Sequence, residues 1–156
     1  MMPVRWRSPL SASPVWQWYV VRTTLIRQAV ATTGTTVTDV YGVGPVVAAL
    51  LIGYTGDIGR FASADHYAAY NGTAPIEVSS AGKKRHRLSM RGNRMLNHAI
   101  HMAAVTQIGH DTPGRVYYDK KQAEGKTKKE ALRALKRRIS DVVYRKLVAD
   151  QQTKTR

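Results

Sequence analysis

A chain of 156 residues with 43% hydrophobic side chains can bury one domain core, and its 25 Lys and Arg against 10 Asp and Glu leave a formal charge of +15 and a sequence pI of about 10.5, the electrostatic footprint of a nucleic-acid binder. The absence of cysteine excludes disulfides and thiolate zinc sites, so packing must hold the domain together, and the cytoplasm is the expected compartment. With no apolar run of about 18 residues and no polybasic amphipathic segment with bulky aromatics opposite, a membrane partner is not expected.

Residues 1–32 read as an N-terminal arm, poorly ordered or partly helical. Pro3, Pro9 and Pro14 interrupt it before any signal-peptide core forms, and it holds all three tryptophans. Within it, YVVRTTLIRQAVA predicts a short helix with Val20, Leu25, Ile26 and Val30 inward and Arg22 and Arg27 outward. The first acid in the chain is Asp39. A short apolar segment then meets Gly42-Val43-Gly44-Pro45 and an apolar helix from Val46 to about Tyr54. That pattern is the hairpin of a helix-hairpin-helix unit, in which glycines let the backbone approach a phosphate and free N–H groups at the helix start point at the anion. The bland alternative is a tight turn between two core helices.

SADHYAAY predicts a short helix capped by Ser63 and ended by Asn71-Gly72. The span NGTAPIEVSSAGKKRHRLSMRGNR is cut by Gly72, Pro75, Gly82 and Gly92 too often for a long helix, so a basic loop with short extended pieces is expected there. NRMLNHAIHMAAVTQI repeats apolar residues at helical spacing and predicts a core helix over 93–108. Thr112-Pro113 opens a further helix, and Thr127 with Glu130 forms a capping box before the last one. That last helix carries Leu132, Leu135, Ile139, Val142 and Val143 on one stripe, and Lys128, Lys129, Arg133, Lys136, Arg137 and Arg138 on its other faces, running to about Asp150. The expected fold is all-α, one compact helical domain over residues 33–150 with a frayed tail at 151–156.

The chemistry concentrates in the basic loop. From Val78 through His110 there is no Asp or Glu, while Lys83, Lys84, Arg85, Arg87, Arg91 and Arg94 carry positive charge. The five histidines offer only His98 and His101 at close helical spacing, and the acids are scattered, so no metal or cofactor is expected in this chain. Ser79 and Ser80 remain. A serine hydroxyl is a weak nucleophile unless a base or a strong local field activates it, and cations that also bind the scissile phosphate would supply that field. The plain alternative is that both serines only cap or solvate a loop.

In order along the chain, the GVGP hairpin, AYNGTAPIE, the serine pair, the HRLS and GNR elements and the ALRALKRR helix resemble the C-terminal domain of transposases of the insertion sequence 110/116/902 family, over roughly residues 33–150. The resemblance implies a DNA transposase, or a recombinase guided by a structured RNA. Such enzymes join an N-terminal RuvC-like domain with four metal-binding acids to a C-terminal domain with a serine nucleophile. It implies Ser80 as that nucleophile, with Ser79 second, attacking a DNA phosphodiester to form a phosphoserine intermediate; Ala81 stands where family members usually carry glycine. Lys83, Lys84, Arg85, Arg87, Arg91 and Arg94 would then hold phosphates, and Gly42 and Gly44 would grip the backbone nearby. DNA is the implied partner, with a guide RNA and a second copy of the chain as further ones, and magnesium is implied only in the RuvC-like domain. Because the first 38 residues contain no acid, that domain is missing from this sequence, which looks like a truncated transposase inactive by itself. The competing expectation is a non-catalytic helix-hairpin-helix module holding DNA or RNA.

Overall fold

Six helices build the domain, and a computed structural model describes residues 14–80, 83–87 and 92–155. In chain order they are α1 (Pro14–Thr32), α2 (Pro45–Thr55), α3 (Ala64–Tyr70), α4 (Arg94–Ile108), α5 (Pro113–Ala123) and α6 (Lys128–Lys154), with single 3-10 turns at Val37–Asp39 and Ile58–Arg60. The extended pieces of the basic loop are paired: β1 (Ile76–Ser80) and β2 (Lys83–Arg87) form a two-stranded antiparallel ribbon between α3 and α4.

The cap residues set the helix starts. Ser63 accepts from the His66 N–H at 3.2 Å, Thr112 from the Arg115 N–H at 3.1 Å, and Thr127 and Glu130 cap each other reciprocally. Pro45 and Pro113 each occupy the first turn, where a missing N–H costs nothing.

α4 is the central element, packing against α2, α5 and α6. Its Leu96, Ala99, Ile100, Ala103 and Ala104 are fully buried, together with Leu51 of α2 and Leu135 and Val143 of α6. The alanines keep the helices close, and the larger side chains fill the spaces between them. Tyr67 of α3 is also fully buried; burial pushes its phenol up to about 12, and its hydroxyl lies 3.0 Å from that of Thr55.

Two expectations change. α1 is longer than predicted, and of its expected inward residues Val30 is buried and Ile26 partly so, whereas Val20 and Leu25 are 57% and 59% exposed. The physical reason is that α1 packs on α2 through Ile26 and Val30, at its C-terminal end, and its earlier turns carry exposed Val15, Trp18, Tyr19 and Val21 as well. The chain end is also helical through Lys154.

The last turns of α6 hold the start of the domain. Asp150 accepts from the Thr35 and Thr36 hydroxyls, both at 2.7 Å, and from the Thr36 N–H at 3.0 Å. Burial acts to raise its pKa, but these hydrogen bonds outweigh it and the carboxyl sits below its ordinary value. Because the folded pKa is the lower one, this contribution is complete above the ordinary carboxylate value of about 3.9 and disappears as pH falls through the folded value. Asp150→Ala is expected to cost about 1–3 kcal/mol at neutral pH, seen in a denaturant melt, with the gap to wild type closing in acid.

Candidate nucleic-acid interface

The ribbon leaves and re-enters the helical body at one point. Asn71 ends α3, and Gly72, at φ +72°, reverses the chain. Asn71 is fully buried and links three elements. Its Nδ2 donates to Ser140 Oγ of α6 at 2.8 Å, its Oδ1 accepts from the Thr73 N–H and hydroxyl at 3.1 and 2.7 Å, and its carbonyl accepts from Asn97 Nδ2 of α4 at 2.9 Å. On the return side, the Asn93 N–H donates to the Tyr70 carbonyl at 2.6 Å, and Asn93 Oδ1 caps α4 by accepting from the Met95 and Leu96 N–H groups. Gly92 touches Gly72 backbone to backbone, since a Cβ added to Gly92 would lie 2.6 Å from Gly72 N and 2.7 Å from its Cα.

In the ribbon the register opposes Ser79 to Lys84 and Ser80 to Lys83, with Val78 opposite Arg85 and Ile76 opposite Arg87. Successive positions in a strand alternate between faces, and directly opposed residues share one. Register therefore groups Ser80 with Lys83, Arg85 and Arg87, and Ser79 with Lys84, His86 and Glu77. Arg94, the first residue of α4, is exposed beside the return point, whereas Arg91 falls outside the described residues, as do Ala81 and Gly82.

The glycine turn lies elsewhere on α4. Gly42, at φ +83°, lies against that helix, and a Cβ on it would stand 2.7 Å from the Ala103 carbonyl and 3.1 Å from Thr106 Cβ. Gln107 Nε2 fastens the same turn by donating to the Tyr41 carbonyl at 2.8 Å. Gly44 has an ordinary extended backbone, φ −77° and ψ 177°, at the N-cap of α2, and open space where a Cβ would be. Of the two glycines, Gly42 is thus required by the fold and Gly44 is not. Arg94 and Ala103 are nine residues apart, so the ribbon root and the turn are separated by about 13 Å along α4.

One residue expected on a solvated face of α6 is buried instead. Lys136 is 7% exposed, and its Nζ donates to Asn97 Oδ1 at 2.6 Å. It lines a cavity of about 280 Å³ at the ribbon root, with Gly72, Thr73, Tyr117, Lys126 and Arg133. The sequence does hold a signal for this, because Lys136 follows Leu132 by four residues and precedes Ser140 by four, on the edge of the apolar stripe.

Among the described residues no three His, Asp or Glu side chains stand close enough together to hold a metal ion. Nor is any described helix long and apolar enough to cross a membrane.

Fold and sequence together define a basic helical domain with a two-stranded ribbon that contains Ser79, Ser80, Lys83, Lys84, Arg85 and Arg87. A sequence model of the Transposase IS116/IS110/IS902 family matches residues 34–119, more than half of the chain and including the whole ribbon, and the chain belongs to that family. It is 37% identical over 108 residues to the IS110 uncharacterized 43.6 kDa protein of Streptomyces coelicolor, covering 69% of this chain and 27% of the relative. It is 34% identical over 104 residues to the IS116 uncharacterized 44.8 kDa protein of Streptomyces clavuligerus, covering 66% and 26%. The IS900 uncharacterized 42 kDa protein of Mycobacterium paratuberculosis is 37% identical over 108 residues, covering 66% and 26%. The chain thus spans about a quarter of the length of these curated relatives.

Proposed function

We propose that this chain is the DNA-binding and strand-transfer part of an insertion-element transposase, that Ser80 is its nucleophile, and that it works with a RuvC-like domain carrying the metal-binding acids. The observation that supports this best is the ribbon register, which groups Ser80 with Lys83, Arg85 and Arg87. In the reaction the Ser80 Oγ–phosphorus bond forms as one P–O bond to deoxyribose breaks. The hydroxyl proton passes to solvent, and the departing oxygen takes one up. Negative charge grows on the phosphoryl oxygens and the leaving oxygen, where cations in the same alternate set stabilise it most. Ser79, grouped with Lys84, His86 and Glu77, has fewer cations and one acid for company.

The N-terminus of α2 is the second contact. Gly44 leaves room for a phosphate, and the first N–H groups of α2 have no carbonyl partner within the helix.

Gly44→Leu tests this contact. Its backbone conformation suits any residue, so stability should stay within about 0.5 kcal/mol while duplex affinity falls. In wild type, affinity should be tolerant of sequence and drop steeply between about 50 and 200 mM salt as bound phosphates release their counterions. Salt-independent binding would contradict the reading, and a folded Gly44→Leu chain with unchanged affinity would reduce the hairpin to a core turn.

A further inference from the structure

We propose that the cavity at the ribbon root is a binding site for a single phosphate group of the nucleic-acid backbone, with Lys136 as the cation it neutralises. This rests on the reading above only for the source of the phosphate. Lys136 is 7% exposed, and the partner of its Nζ is the neutral amide oxygen of Asn97. An ammonium has three donors. Among the described residues no carboxylate lies within 4.0 Å of it, although a buried lysine is normally paired with one.

The neighbouring charges deepen the deficit. Glu130 lines the same cavity, but its carboxylate is taken by the Thr127 N–H and hydroxyl at 2.9 and 2.7 Å. Arg137 is neutralised by Asp65 and Asp141. Lys126 also lines the cavity. Burial holds the Lys136 ammonium below its ordinary pKa, and burial, Lys136 and His98 together hold His101 below its own. Lys136 is thus a buried cation beside a cavity, with a neutral amide as its hydrogen-bond partner and the one lining carboxylate, Glu130, more than 4.0 Å from it, a position that a ligand anion can complete.

Size and position fit a phosphate. Ligand pockets typically run about 300–1,000 Å³, so 280 Å³ lies at the lower end and suits a phosphate with part of its sugar. Its wall includes Gly72, Thr73, Ala74 and Pro75, the segment that leads directly into β1. Lys136 is joined to that segment through Asn97 and Asn71. Occupancy therefore braces the base of the strand that carries Ser79 and Ser80, making the site a positioning device for the ribbon.

The test compares the full chain with Lys136→Met and Lys136→Gln, the second of which can still hydrogen-bond to Asn97. Thermal melts are run in inorganic phosphate and in chloride at equal ionic strength, His101 is titrated by NMR in both, and duplex binding is followed against salt. Phosphate is expected to raise the wild-type Tm and the His101 pKa and to do neither in the variants. The logarithmic salt slope for DNA should fall by about one in both variants. Phosphate that stabilises the variants as much as wild type, or leaves wild-type Tm and His101 unmoved, overturns the site. A Lys136-dependent phosphate effect in a wild-type chain that does not bind DNA keeps the site, names free phosphate as its ligand, and overturns the nucleic-acid reading instead.

Discussion

Ser80→Ala is expected to abolish covalent adduct formation and lower strand transfer by on the order of 10⁶, the scale seen when a nucleophilic serine is removed from an enzyme, while leaving fold and duplex affinity intact. The hydroxyl is the atom that bonds to phosphorus, and neighbouring cations cannot replace it because they only stabilise charge. Loss of one hydroxyl from this polar, glycine-punctuated stretch is expected to change stability by no more than about 0.5 kcal/mol. The measurement supplies a RuvC-like domain in cis or in trans and compares Ser80→Ala with Ser79→Ala for binding and for a trapped protein–DNA adduct. An adduct that survives Ser80→Ala and vanishes with Ser79→Ala moves the nucleophile by one residue. Adducts in both variants would sink the serine mechanism and leave a binding module.

Gly42→Ala should produce the largest loss of stability of any substitution considered, about 2–4 kcal/mol in a denaturant melt. Its φ of +83° is strained for any residue with a side chain, and the new Cβ would press on the Ala103 carbonyl and Cα of the central helix, which cannot swing aside as a side-chain tip would. Gly44→Ala, two residues on, meets nothing within 4 Å and should be close to neutral. Equal melts for the two variants would contradict the packing described for this turn.

The helices were legible because their signals are local. Caps at Ser63, Thr112 and Thr127, proline at 45 and 113, and the apolar period of α4 each act within a few residues of the structure they specify. The pairing of β1 with β2 was not legible, since the alternation in IEVSS stops after Ile76 and Val78 and KKRHR has no apolar residue at all. Which residues stand opposite one another is set by cross-strand register, which no single strand reveals.

The root of the ribbon was hidden for a different reason. Asn71 meets Ser140 across 69 residues, and Lys136 meets Asn97 across 39. Each looks like an ordinary surface side chain until the helices are packed. The same is true of α1, where the apolar residues are evident but nothing local says that Ile26 and Val30 are the ones that join the core.

The close approach of Gly72 and Gly92 brings the two ends of the ribbon segment together at one point of the helical body. The strands β1 and β2 pair with each other, while α3, α4 and α6 are tied together below them by Asn71, Asn97 and Ser140. A ribbon exchanged between relatives at these two glycines would carry its chemistry with it as a detachable tool.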